Sequence, residues 1–304
     1  MGKKVFDFDG RQIIIKWPFK HRSVAKSMLP FVTKSISNSQ YSKYFPRLKV
    51  KITNKKALMT KANRHTSAWV KKKYPDTIFL NPITYILTAP EERESKFKKH
   101  IQHELVHLVQ QKAGIDIQPK FEITLRSRER KLSKQMQKTE DIWAFLRSTL
   151  FLFVHQLSYE GVARYVGHQA KKPHIFSHKI LLKKNIELCK KIHFLWGEIQ
   201  DTVEQWKNKS EEPLDFLRKK ILSLGFTILS YKIGSHMVYT IRFADIATVR
   251  ELVRMKPFKF IRTYERACEK LSILKIVSVN DPKAVFCYNV VLKDLYKMVE
   301  HIRK

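Results

Sequence analysis

The chain is poor in cysteine. Cys189, Cys268 and Cys287 are the only three in 304 residues, and none forms a C-x-x-C pair. That argues against a disulfide framework and a thiolate zinc knuckle, and points to a reducing, cytoplasmic setting. Long apolar runs are also missing. The most apolar stretch, Leu146 to Leu157, is too short to span a bilayer and carries Arg147 and His155. The opening Met1-Gly2-Lys3-Lys4-Val5-Phe6-Asp7 lacks an apolar core followed by a cleavage site, so neither a leader nor a transmembrane segment is expected. There is no internal repeat, no low-complexity linker, and no RNA-recognition or finger motif. Acidic residues are scarce: 27 Asp and Glu face 60 Lys and Arg.

The resulting charge, +33 with an isoelectric point near 10.1, attracts anionic partners and speeds their arrival. Nucleic acid, ribosomes, acidic lipid and acidic protein are all candidates, but the lysines are spread through every segment, so charge alone names no partner. The length corresponds to one large or two modest domains, with enough chain to bury a core.

Val5-Phe6-Asp7-Phe8 and Arg11-Gln12-Ile13-Ile14-Ile15 flank Asp9-Gly10 and read as a hairpin over residues 4–16 closed by a two-residue turn. A helix is expected from Ser23 to Tyr44, ended or kinked by Pro30. Three β-rich runs follow: Leu48–Ile52, Ser67–Val70 and Thr77–Leu80. The next helix opens on Thr88-Ala89-Pro90-Glu91, a capping-box pattern, with Glu91, Glu92 and Glu94 at its positive end. Phe97, Ile101, Leu105 and Leu108 recur on one of its faces, and Gly114 is the expected C-terminal stop. His100 and Gln102 are expected on its surface. From Phe121 onward the period is mostly helical, punctuated by Pro173, Pro213 and Pro282. The expected fold is α+β: residues 1–115 form a small sheet packed on this helix, and 116–304 a mostly helical part.

The chemistry lies in His103-Glu104-Leu105-Val106-His107, an H-E-x-x-H sequence. On a helix, positions i and i+4 share a face, so both imidazoles can hold one ion. Zinc with this motif serves peptide hydrolysis, with Glu104 as the general base. A catalytic zinc has three protein ligands and one open position. No H-x-x-G-x-x-H continuation follows His107, which excludes a metzincin. His155, His168 and Glu160 are the candidates for the third ligand.

The segment Tyr159-Glu160-Gly161-Val162-Ala163-Arg164-Tyr165 resembles the third-ligand helix of the gluzincin metallopeptidases, including aminopeptidase N-like enzymes and smaller single-domain relatives. Tyr231-Lys232-Ile233-Gly234 resembles their Tyr-x-x-Gly segment. The resemblance covers about residues 45–270, densely at the three motifs. It implies a zincin-like fold, one zinc ion on His103, His107 and Glu160, and Tyr231 donating to the oxyanion. It also implies that Gly161 lets its helix pack closely on the H-E-x-x-H helix. Thr77–Leu80 stands where such enzymes have an edge strand that pairs with the substrate.

Two features depart from the aminopeptidases. The 52 residues between His107 and Glu160 make a longer gap, which contains the basic run Arg126–Lys131, and the Gly-x-Met-Glu-Asn amine-binding segment is absent. Endopeptidase action is therefore preferred. The alternative is a basic nucleic-acid- or ribosome-associated protein, either a SprT-like protease or an inactive metal-binding module.

Overall fold

The computed structural model describes residues 1–54, 67–115, 155–169 and 226–271, and the backbone alone for 226–230. The basic run Arg126–Lys131, Cys189, Cys287, Pro173, Pro213 and Pro282 lie outside the described residues.

Strands β1 (Gly2–Phe8) and β2 (Arg11–Trp17) form the expected hairpin. Asp9 and Gly10 both have positive φ, 45° and 72°, as a type I′ turn requires. Helix α1 (Arg22–Ser37) keeps Pro30 inside it and stops at Asn38, a turn and a half before Tyr44. Thr33 Oγ1 donates to the carbonyls of Leu29 and Pro30, at 2.8 and 2.9 Å, in the turn after the proline. Next come β3 (Arg47–Ile52), β4 (Ala68–Lys71) and β5 (Tyr74–Leu80). The sheet order is β1-β2-β3-β5-β4: β2, β3 and β5 are mutually parallel, and β1 and β4 run antiparallel on the two edges. The fold is α+β with a mixed sheet.

That order corrects one expectation. Residues Thr77–Leu80 belong to β5, which is paired on both sides, so the edge strand is β4. Asn81-Pro82 marks more than a strand end. The Asn81 side chain accepts from Ile83 N–H at 3.0 Å and caps a further helix, α2 (Pro82–Leu87), with proline in its first turn.

Helix α3 (Pro90–Lys112) packs on α1, β4 and β5. Phe97, Ile101, Leu105 and Leu108 are fully buried, as their spacing required. Val50, Ile52, Ile78 and Leu80 form the buried sheet face. Phe31, Tyr85 and Phe97 tie α1, α2 and α3 together, with ring centroids 5.5–5.9 Å apart. Gly114 ends the helix at φ 70°. The capping box expected at Thr88 does not form: the N-cap is Ala89, and Thr88 Oγ1 donates backward to the Thr84 carbonyl. Its residues are instead used to close α2.

Gln102 is buried, not on the surface. It accepts from Ser39 Oγ at 2.7 Å and donates to the Ser35 carbonyl at 2.6 Å, satisfying the last turn of α1 and the residue just beyond it.

Helix α4 spans residues 155–169. Helices α5 (Phe226–Phe243), α6 (Val249–Val253) and α7 (Pro257–Lys270) follow, with α5 packed on α6 and α7. A capping box does form at α6, between Thr248 and Glu251. The chain divides into two compact units: Met1–Asp116 with Ala163–His174, and Ile117–Val162 with Ile175–Lys304. Helix α4 runs unbroken through the division. Among the described residues no helix is long and apolar enough to cross a membrane.

Candidate metal centre

His103 and His107 sit one turn apart in the middle of α3, their rings nearly perpendicular at 89° and 4.6 Å between centroids. Their Nε2 atoms are 3.0 Å apart. Two imidazoles on a tetrahedral zinc, each about 2.0–2.1 Å from the ion, stand roughly 3.3 Å from one another. The pair therefore needs to open by only a few tenths of an ångström.

The protonation pattern also suits a metal. His107 Nδ1 lies 2.9 Å from Gln110 Oε1, and both residues are buried. An amide oxygen only accepts, so Nδ1 carries the proton and Nε2 presents its lone pair. Gln110 thereby sets the tautomer that a metal ligand requires. Sequence reading passed over it, although its i+3 spacing from His107 placed it within reach on the same helix.

Helix α4 brings the third donor. The ligand atoms of His103, His107 and Glu160 all lie within 4.8 Å of one another. Two neutral imidazoles and one carboxylate are a donor set that catalytic zinc accepts, with a position left open; related divalent ions use the same donors. The residues present fit a metal. His155 and His168, the rival third ligands, are described residues and are not part of this group. They lie about 140° and 80° around α4 from Glu160, at about 100° per residue.

The packing of α4 explains the placement and corrects the expected role of Gly161. Gly167 lies against α3: a β-carbon there would come within 2.8 Å of the Lys99 carbonyl oxygen and 3.4 Å of His103 Cβ. Glu160, seven residues earlier, is two turns away on the same face, and so falls beside the histidines. Gly161 is turned about 100° from that face. It meets Gly234 of α5, whose Cα a β-carbon on Gly161 would approach to 2.5 Å. Adjacent residues of a helix cannot both face α3, and the carboxylate takes that side.

Glu104 is buried on α3 between the histidines. Tyr231 is half-buried and lies within α5, not ahead of it; it is one turn before Gly234 and on the side of α5 that meets α4. His100 is held in its uncharged form at neutral pH: burial pushes its pKa down to about 4, and the nearby Lys99, His103 and Lys96 add to the effect.

No family model, curated protein or solved structure matches this chain.

Proposed function

We propose that this protein is a zinc-dependent peptidase of gluzincin type, acting as an endopeptidase. The observation that carries the reading is the convergence of His103, His107 and Glu160 within 4.8 Å, on the residues that the motif and the resemblance single out. When bound, zinc supplies Lewis acidity and lowers the pKa of water to about 7. His103, His107 and Glu160 hold the ion, and Gln110 fixes the His107 ring. Glu104 takes the proton from the attacking water and delivers it to the leaving amine. The Tyr231 hydroxyl donates to the oxyanion that develops on the scissile carbonyl. An extended substrate adds to the open edge of β4, the strand next to β5 against which α3 packs.

The test is Glu104→Gln, assayed for metal content and for cleavage of a fluorogenic protein substrate. Metal content should match wild type, while turnover falls on the order of 10²–10⁴ or more. Retained metal with retained turnover would remove Glu104 from the mechanism. A second reading, a structural metal site in a basic nucleic-acid-associated protein, rests on the +33 charge. It requires no base beside the ligands, so wild-type protein that binds zinc and cleaves nothing would favour it.

A further inference from the structure

Cross-strand pairing places Lys3 opposite Lys16 and Lys16 opposite Lys51. Directly opposed residues share a sheet face with β-carbons about 4.5–5.5 Å apart, and like charges so placed are destabilising. One row along, Lys49 has a partner, Asp76, at 2.9 Å. Among the described residues no carboxylate pairs with Lys3, Lys16 or Lys51. The Lys51 ammonium is held instead over the rings of Tyr74 and Phe79, at 4.8 and 5.8 Å.

The row runs into a pocket of about 410 Å³ where the parallel strands β2 and β3 end side by side. Lys16 and Lys51 line it together with Trp17, Pro18, Phe19 and Ile52. That volume falls in the range of small-molecule sites. Trp17 forms a wall because Gly2 opposite has no side chain; a β-carbon there would strike the indole. Phe19 is 72% exposed at the rim. Two cations beside an aromatic and aliphatic wall match a ligand with one anionic head and an apolar body. A nucleic-acid strand suits the place less well: Trp17, Trp69 and Phe79 are buried, which leaves Phe19 as the one exposed aromatic among the pocket residues, whereas a strand stacks successive bases on several.

We propose that this pocket binds an amphipathic carboxylate, its head between Lys16 and Lys51 and its apolar body along Pro18 and the exposed ring of Phe19. The carboxylate belongs to a free alkyl acid or to the C-terminus of an apolar peptide. The proposal does not depend on the peptidase reading.

Calorimetric titration of the full chain tests it, using dodecanoate, an N-acetylated apolar tetrapeptide with a free C-terminus, dodecyltrimethylammonium and inorganic phosphate. Dodecanoate or the peptide should bind one to one, and the tighter of the two identifies the source. Lys16→Met with Lys51→Met should weaken binding about tenfold or more, the usual cost of losing charge-assisted contacts. Phe19→Ala, at an exposed rim position, should weaken it independently of charge. The proposal is overturned if neither carboxylate binds, if the cationic amphiphile binds as tightly, if phosphate alone competes fully, or if the lysine variant binds unchanged.

Discussion

Helix α4 meets two neighbours through glycine, and the two contacts serve different ends. At Gly161 it lies on Gly234 of α5, backbone against backbone, with Gly234 also pressed onto the Leu157 carbonyl. At Gly167 it lies on α3 beside His103, and the same face carries Glu160. The first contact is made by backbone atoms and is a scaffold. The second brings a donor to the histidines. One helix can therefore separate stability from metal binding by face, and substitutions on each side should read out differently.

The largest effect belongs to the site face. Glu160→Ala should lower zinc affinity by more than the roughly 10–100-fold typical of an outer-shell loss, while His155→Ala and His168→Ala keep the metal. Equilibrium dialysis decides this. Metal loss in a histidine variant with retention in Glu160→Ala would replace the proposed ligand set.

Next is Tyr231→Phe, which removes one hydroxyl from the side of α5 facing α4. A donor to the transition state costs roughly 10²–10³ in kcat with KM little changed. A slightly lower melting temperature with unchanged kcat would assign Tyr231 to the scaffold.

The scaffold face itself is probed by Gly234→Ala. Its β-carbon meets backbone on α4, which cannot swing aside, so overpacking should cost about 1–3 kcal/mol in thermal or denaturant unfolding. Zinc affinity per folded molecule should change less than in Glu160→Ala. Equal loss of both would merge the two faces into one.

The smallest effect is a pH dependence near the site face. The His100 pKa is lowered to about 4 in the fold, against 6.5 when unfolded. Above the unfolded value both states are neutral and the residue contributes nothing. As pH falls below 6.5 the unfolded chain takes up the proton first, so stability drops. Between pH 7.5 and 5.5 the metal-free protein should lose about 1 kcal/mol from this group. His100→Gln should flatten that part of the curve in chemical denaturation. An unchanged slope would show that His100 is not buried against its cationic neighbours.

The local patterns were legible wherever a side chain's own chemistry decides the backbone. Asp9-Gly10 turned the hairpin because both positions tolerate positive φ. The apolar period of α3 gave its buried face, and the spacing of His103 and His107 put two imidazoles on one side. Cap positions were less legible. Thr88 had two helices within reach and served the earlier one. Gln102 looked like a surface residue because its partners, Ser35 and Ser39, come from more than sixty residues away.

By itself, the sequence determined the α+β order, the motif helix and which residues were candidates for the metal. The element order, the motif helix and the histidine pair follow from periodicity, propensity and spacing within short segments, whereas Glu160 became a candidate through the gluzincin resemblance of its segment. Only the tertiary structure decided that β4 is the edge, that Glu160 and neither rival histidine joins His103 and His107, and that Gly167 takes the contact expected of Gly161. Those outcomes depend on strand pairing order and on the rotation of α4 about its axis. Both are set by long-range packing, to which no local pattern is sensitive.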